Sequence, residues 1–507
     1  MAQAIIQQIS FMEDFKNMKN YKKKEFAKIA AFLLILAFLV NMSDIILANG
    51  TDGHKYLFRD FYNAPANEVD VVYIGPSSAG WNWNPTVAYK SHGIGSQLLM
   101  SERHPADAFP YLLKEASLKK PKLYIIDAEN LLGGFSDDFA AVQSIIINLR
   151  HSKNRLDAAN DMLEHYSDEE KSVRFLPLIY FHNRWKELSR SDFEPVNYDF
   201  MGFSMRALSG TGVPEGSGQL EAEPIALSGE HLTNFEEVLR VCKSLDGNVL
   251  FMIAPNNTGA GGYYNYIRER VEAEGFSYLN ASGFLDEIGM EPGDFQGGGH
   301  LTIYGAEKYT EWLSGVLVEK FGIPDHRNEQ DYKESVRYEE EYEAYIKAKI
   351  QKGVMIGKYL ESINSERYSI LMAVRDEASS ALNEEIVHSL KQLGLQQTPA
   401  GKYRASYIAV TDQGKLILEH ITEAESGEML QESGVLADGA DFTLQSGGCM
   451  AGNNASIIVN GTEYAINSRG INIVVYDNVI HEVIDSVAFD TYAAEMPATR
   501  EIIQDVH

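Results

Sequence analysis

The sequence predicts an α/β domain with a parallel sheet, followed by a smaller α+β domain whose strands are mostly antiparallel. Three observations predict this organisation. Short apolar runs alternate with amphipathic helical stretches in the first part of the chain, a pattern typical of parallel strands covered by helices. A highly charged stretch begins near residue 329, and several short β-rich runs follow residue 367.

Composition excludes some classes of function. The chain has 507 residues, with 44 Lys and Arg against 72 Asp and Glu, so its net charge is −28. Such a charge argues against nucleic acid as a partner, since phosphate binding needs a basic surface. Cys242 and Cys449 lie far apart and predict neither a disulfide framework nor a metal cluster. No metal or nucleotide motif is visible, so we expect no cofactor.

An apolar stretch near the N-terminus predicts a transmembrane anchor over residues 26–47, behind a cytoplasmic tail of residues 1–25. Four lysines between Lys22 and Lys28 precede it and Asp44 lies near its end, which places the rest of the chain outside the cell. We expect a single-pass protein of the cell membrane. A cleaved signal peptide and a buried soluble helix are the alternatives.

The predicted α/β domain covers residues 55–325. Its strands are expected at residues 69–76, 122–128 and 249–255, and its helices at 106–118, 234–244 and 306–320. The less regular stretch at 135–230 is interpreted as an insertion over the site. In parallel sheets of this kind, ligands bind at the carboxyl ends of the strands.

A helical connector is predicted over residues 326–365, its charges forming a solvated face. The second domain is predicted over residues 366–495. Its strands are expected at residues 368–374, 406–410, 416–420, 455–459 and 471–476, with one helix at 383–393.

Two residues of the α/β domain could carry chemistry. Ser77 follows the first predicted strand, where its hydroxyl would lie beside free backbone N–H groups able to hold an oxyanion. His300 follows a glycine-rich loop and precedes a helix, a suitable place for a general base. The alternatives are a serine that caps a turn and a histidine without a catalytic role.

Together these segments resemble the SGNH/GDSL hydrolase superfamily, and especially its membrane-anchored branch of D-alanyl and acetyl transfer proteins of envelope polymers. The motifs are GPSSA at residues 75–79, NP at 84–85, SHGIGS at 91–96 and GGGHLTIYGA at 297–306. The resemblance implies a flavodoxin-like three-layer fold over about residues 69–321. It also implies Ser77 as nucleophile, His300 as base, and backbone N–H groups near Ser77 and Gly95 as oxyanion donors.

The sequence departs from the family pattern at three positions. The acid expected three residues before His300 is replaced by Gly297, the histidine after the nucleophile by Ser78, and a glutamine by His104. Disabling the acid of a serine protease triad lowers kcat about 10⁴-fold. Asp294 could supply the acid instead, a Ser-His pair could act slowly, or the fold could serve binding alone.

In the second domain, charged residues lie at the predicted strand ends. Asp376 follows one strand, and Arg404 and Arg469 precede two others. Arginine forks and carboxylates suit polyhydroxyl or carboxylate ligands, which predicts one polar patch. Surface salt bridges are the alternative.

This domain resembles the interleukin-like EMT inducer domain, shared by FAM3 cytokine-like proteins and the stem of a glycan-processing glycosyltransferase. The resemblance rests on VRDEASSALNEEIVHSLKQLG, YRASYIAV, SRGINIVVYD and VAFDTYA, within about residues 367–493. The last two motifs precede the first in the animal proteins, so the domain looks circularly permuted. Where such domains bind sugars, the resemblance implies Asp376, Arg404 and Arg469 as contacts.

These expectations describe a cell-surface O-acyl esterase or O-acyltransferase acting on an envelope or extracellular polysaccharide, with a C-terminal sugar-binding module. A membrane-bound O-acyltransferase is the partner that the resemblance implies. The alternative is a catalytically inactive SGNH-fold scaffold that binds glycans within a polysaccharide-modification complex.

Overall fold

The structure is a computed structural model. It describes residues 25–44, 46–47, 54–133, 138–174, 177–193, 200–203, 207–210, 220–255, 261–297, 300–329, 332–353, 355–493 and 498–500. The chain divides into two compact units. The first comprises Met1–Ser77, Gln97–Gly202 and Ala226–Val249, and the second comprises Ser78–Ser96, Phe203–Ile225 and Leu250–His507.

The N-terminal helix α1 (Glu25–Asp44) is long and apolar enough to cross a membrane, with a mean hydropathy of 2.1 in its most apolar window. A signal sequence near an N-terminus passes the same test. The predicted cytoplasmic tail lies outside the described residues, apart from Glu25.

The remaining helices carry the labels used below. They are α2 (His54–Asn63), α3 (Ser77–Asn82), α4 (Pro85–His92), α5 (Phe109–Ala116), α6 (Phe139–Asn148), α7 (Lys153–Met162), α8 (Asp168–Lys171), α9 (Pro177–Phe181), α10 (Gly229–Cys242), α11 (Gly261–Ala273), α12 (Leu285–Ile288), α13 (Ile303–Phe321), α14 (Lys333–Gln351), α15 (Ile356–Ser362) and α16 (Glu384–Gln392).

A five-stranded parallel sheet has the strand order β2-β1-β3-β4-β5. Its strands are β1 (Val71–Gly75), β2 (Ser96–Met100), β3 (Leu123–Asp127), β4 (Asn248–Ile253) and β5 (Ser277–Asn280). Every residue of β1, β2 and β3 is buried, because helices cover both faces of such a sheet. A separate hairpin consists of β6 (Phe295–Gly297) and β7 (His300–Leu301).

One close approach in the second unit requires a glycine. Helix α4 is capped at its N-terminus by Asn84, whose side chain accepts from the N–H groups of Thr86 and Val87, and at its C-terminus by Gly93 with φ of 69°. A Cβ at Gly93 would lie 2.9 Å from the Cα of Asp325. Only glycine adopts this φ without strain and leaves that space.

The described residues of the C-terminal part form ten strands. They are β8 (Tyr368–Asp376), β9 (Tyr407–Asp412), β10 (Lys415–Ile421), β11 (Leu430–Val435), β12 (Asp441–Gly448), β13 (Asn454–Val459), β14 (Thr462–Glu463), β15 (Gly470–Asp477), β16 (Glu482–Phe489) and β17 (Ala498–Thr499).

These strands form two antiparallel groups joined at the end of β8. One group runs β10-β9-β8-β15-β16-β17 and the other β11-β12-β13-β14. The last two residues of β8, Arg375 and Asp376, pair in parallel with Gly447 and Gly448 of β12. An apolar core that includes Leu371, Ile408 and Ile457 unites strands from both groups.

A buried arginine connects the helices of the second unit to this β domain. The Arg367 side chain is 6 % exposed and contacts three carboxylates. Its Nη1 lies 3.0 Å from Glu307 of α13 and its Nε 2.8 Å from Asp477 of β15, and its Nη2 contacts Glu343 of α14. Burial alone would lower the pKa of Arg367. The charges of these carboxylates outweigh that effect and raise the pKa, so Arg367 stays charged.

The predicted fold class is confirmed at the level of a parallel α/β sheet and a mostly antiparallel C-terminal part. The predicted strands at 69–76, 122–128 and 249–255 correspond to β1, β3 and β4. Strands β2 and β5 of the same sheet were not predicted. The limits at residues 55, 325, 366 and 495 stay predictions.

Replacing Arg367 with methionine should strongly destabilise the chain, because three carboxylates would be left without their buried partner. We expect R367M to lower the free energy of unfolding by about 3–5 kcal/mol, measured by urea denaturation in detergent micelles. The matched control is R337M, since Arg337 on α14 is exposed and its ion pair with Glu341, at 3.4 Å, lies at the surface. An equal loss of unfolding free energy in R367M and R337M would contradict a stabilising role of the buried ion cluster.

Candidate functional site

Ser77 lies at the carboxyl edge of the parallel sheet. It is the first residue of α3, separated from the fully buried β1 by Pro76, and it is half-buried. This is the strand-to-helix position predicted for a nucleophile. The neighbouring Ser78 is buried.

Polar groups from two further strands gather at the same edge of the first unit. The N–H of Ser101, just after β2, donates to the carbonyl of Gly75 at 3.3 Å. The Ser101 Oγ lies 3.0 Å from Nδ1 of His104, and Asn130, which follows β3, donates to the His104 carbonyl at 2.7 Å. Sequence reasoning did not identify Ser101, because β2 was not predicted and the residue had no visible strand to follow.

Gly95 lies at the other end of its strand. It directly precedes β2, whereas Ser77 follows β1. The carboxyl ends of β1 and β2 are adjacent, and a five-residue strand spans about 16 Å. The structure therefore does not bring Gly95 to the carboxyl edge, where the N–H groups after β2 belong to residues from Ser101 onward.

His300 is held by the helix that Ser77 begins. Its ring lies against the ring of Trp81 with a centroid distance of 4.1 Å. The next residue, Leu301, donates its N–H to Asn82 Oδ1 at 2.9 Å. His300 pairs with Gly297 across the β6-β7 hairpin, while Gly298 and Gly299 of the glycine-rich loop lie outside the described residues.

The Asp294 carboxylate is engaged elsewhere. It is buried, its Oδ2 lies 2.9 Å from Lys308 Nζ, and the same oxygen accepts the Glu291 N–H at 2.8 Å. Within the described residues these are its side-chain hydrogen bonds. Both of these bonds use Oδ2, and the role of Asp294 as the acid for His300 stays a prediction.

An acidic cavity of 740 Å³ lies in the first unit, between α5, α7 and α10. Its lining includes Asp107, Asp161, Glu164, Glu236, Glu237 and Arg240. Burial raises the pKa of Asp107 to about 7, and the nearby Asp161 charge adds to this shift while His165 opposes it. Asp107 therefore changes its charge near neutral pH.

The three residues predicted for sugar binding come together at the junction of the two strand groups. The pKa of Arg404 is raised by electrostatic interactions, first with Cys449 and then with Tyr403, and Asp376 is a further contributor. The pKa of Arg469 is raised first by its hydrogen bonds to Asp490, and Asp376 contributes again. Asp376 thus lies within electrostatic range of both guanidinium groups.

The backbone fixes this patch. Asp376 and Arg404 have φ angles of 64° and 54°, in the left-handed region that non-glycine residues rarely adopt. The buried Glu377 accepts hydrogen bonds from Ser379 N–H and Oγ through Oε1 and from the Arg404 N–H through Oε2. Gly448 leaves room for the Arg404 carbonyl, which would lie 2.2 Å from a Cβ there.

Exposed apolar groups flank the charges. Arg404 stacks on Tyr403 at 4.9 Å and Arg469 on Tyr492 at 4.7 Å. Both tyrosines are exposed, as is Met450 at 61 %. Sequence reasoning missed these three residues, although Tyr403 directly precedes an arginine that it singled out.

Comparison with known proteins supports the C-terminal resemblance. Residues 330–415 match the family model described as Interleukin-like EMT inducer. This segment, which contains Asp376 and Arg404 but not Arg469, is similar to that family. No curated protein and no solved structure matches the chain. The family match does not extend to the α/β part.

The raised pKa of Asp107 should make stability depend on pH. The folded state holds a proton that the unfolded state releases above about pH 4, so stability falls as pH rises toward 7 and stays low above it. A shift from 3.8 to about 7 corresponds to about 4 kcal/mol at full ionisation. We expect D107N to remove this fall in urea denaturation between pH 5 and 8.

The matched control is D157N on α7, whose aspartate pairs with Lys153 at the surface. Its stability profile should keep the shape of the original one. If the plot of stability against pH for D107N also runs parallel to that of the original chain, the pKa of Asp107 is not raised in the folded state.

Proposed function

We propose that the C-terminal domain binds a glycan through the patch of Asp376, Arg404 and Arg469. The observation that carries the proposal is the convergence of these side chains beside exposed tyrosines. Guanidinium and carboxylate groups hydrogen-bond sugar hydroxyls, and aromatic faces pack against the apolar faces of sugar rings. The similarity of residues 330–415 to the interleukin-like EMT inducer family supports the proposal.

The charge balance of the patch favours a neutral ligand. Arg404 and Arg469 are opposed by Asp376 and Asp490, and Asp490 holds Arg469 in a bidentate pair at 2.7 and 3.0 Å. The charges of these four side chains sum to zero, so an anionic polymer would gain little from them on a chain of net charge −28. We infer recognition of sugar hydroxyls on an envelope or extracellular polysaccharide.

The proposed setting is the outer face of a membrane. Helix α1 would remain as a single-pass anchor, with the C-terminal domain extracellular. Lysines before α1 and an aspartate at its end support this orientation. Anchoring would keep the glycan-binding domain close to surface polymers and raise its effective concentration there.

A second candidate function is O-acyl transfer or ester hydrolysis by the α/β part. It is favoured by Ser77 at the start of α3 and by the packing of His300 on Trp81 of that helix. Ser77 Oγ would attack the acyl carbonyl while His300 takes its proton. His300 would then return that proton to the departing sugar oxygen, and water or a new hydroxyl would take the acyl group.

In the transfer reaction, a membrane-bound O-acyltransferase would supply the acyl group. The rival proposal is an inactive fold that serves only as a scaffold for glycan binding. It is favoured by Gly297 in place of the acid and by the Lys308 pair that engages Asp294.

The R404A variant should lose glycan binding. Removing charge-assisted hydrogen bonds costs about 1.5–3 kcal/mol, so affinity should fall about 10- to 100-fold, measured by titration with the strongest ligand from a glycan array. The matched control is K402A, because Lys402 pairs at the surface with Glu423 at 2.6 Å. Equal affinity of R404A and the unchanged chain would remove the patch as the site.

The S77A variant tests the catalytic candidate with p-nitrophenyl acetate as substrate. Loss of the serine costs about 10⁶-fold in an intact triad and loss of the acid about 10⁴-fold. A Ser-His pair should therefore leave about a 100-fold rate advantage that S77A removes. The S78A control should retain it, and equal hydrolysis by S77A and the original chain would favour the scaffold.

A further inference from the structure

Large apolar side chains are exposed together on one short segment of the first unit. The segment, residues 177–193, consists of α9 and two 3₁₀ turns at His182–Lys186 and Arg190–Asp192. Ile179, Trp185 and Phe193 are 52 %, 64 % and 61 % exposed. Single exposed apolar residues are common, but three large ones within one short segment indicate contact with another apolar phase.

This segment is fixed to the C-terminal end of α1. The N–H of Leu178 donates to Oδ1 of Asp44, the last residue of α1. Arg184 donates through Nη1 to the carbonyl of Leu47, and its Nη2 lies 2.8 Å from Asp192. The Arg184 and Asp192 side chains are themselves largely buried, so these contacts belong to the packed structure of the segment.

The length of α1 sets the depth of the segment in a bilayer. Its 20 residues span about 30 Å, the thickness of the hydrocarbon core. Asp44 and Leu47 would then lie where the hydrocarbon meets the headgroups. The residues bonded to them would lie at the same level.

The chemistry of the segment suits that level. Tryptophan concentrates at membrane interfaces, with lysine and arginine near the headgroups. The Lys186 ammonium lies 5.7 Å above the Trp185 ring. Arg184, Lys186 and Arg190 against Glu187 and Asp192 leave the segment at +1, in a chain of −28, so it lacks the charge that would repel anionic headgroups.

We propose that Ile179, Trp185 and Phe193 insert into the headgroup region of the membrane that α1 spans. The occupant of this apolar surface is lipid, and the inference rests on the proposed anchoring by α1. The contact is a second attachment, which holds the first unit against the bilayer surface and limits its rotation about α1.

The test uses tryptophan fluorescence of the full chain in lipid nanodiscs. The chain contains 4 tryptophans, and Trp185 is the exposed one. The emission of Trp185 is the difference between the original chain and W185F. Lipids brominated near the ester end of their chains should quench about half or more of that emission, since interfacial tryptophans lie at that depth. Bromines at the chain ends should quench less. The W312F control should keep the quenched component.

Two other results would overturn the proposal. Equal quenching in W185F and the original chain would assign the signal to another tryptophan. No quenching by either lipid would show that lipid does not cover Trp185, and protection from aqueous acrylamide in that case would identify a protein partner. Flotation of the chain with vesicles at alkaline pH reports on α1 separately, so loss of the anchor is distinguishable from an unoccupied surface.

Discussion

The ion cluster around Arg367 is the constraint on which the second unit depends. A guanidinium buried to this degree is stable only while Glu307, Glu343 and Asp477 all remain in place. These partners belong to the consecutive helices α13 and α14 and to β15, which lies far along the chain from both. The charged connector predicted as a solvated helix therefore has two faces. On α14, Glu340 and Glu341 are exposed, whereas Tyr342, Ile346 and Ile350 are buried.

The junction of the two strand groups carries the proposed glycan-binding patch of the C-terminal domain. Strand β8 pairs along its length with β9 and β15, and only Arg375 and Asp376 pair with β12. The chain must turn sharply there, which accounts for the left-handed backbone at Asp376. Because Glu377 bonds the Arg404 backbone, the two loops that present the charges are fixed to each other. A ligand would meet groups that are already positioned, so less ordering opposes binding.

The sequence allowed prediction of the elements whose signal is local. Runs such as VDVVYIG and KLYIID are apolar throughout, as expected of strands buried on both faces. Strand β2 was not predicted because SQLLM follows Gly-Ile-Gly and begins with polar residues. Ser101 was missed for the same reason, since it directly follows that strand. The polar patch could be predicted because its charges lie at strand ends. The presence of Tyr492 in the patch could not be predicted, because its position beside Arg469 depends on the pairing of β15 with β16.

The two cysteines differ in a way that has a practical consequence. Cys242 is buried within α10, and burial raises the pKa of its thiol to about 12. Cys449 is half-buried, and its N–H donates to the carbonyl of Asp376 at 3.0 Å. A maleimide dye should therefore react at one position of the native chain and place a fluorophore at the edge of the patch. Ligand occupancy could then be followed optically without introducing any substitution.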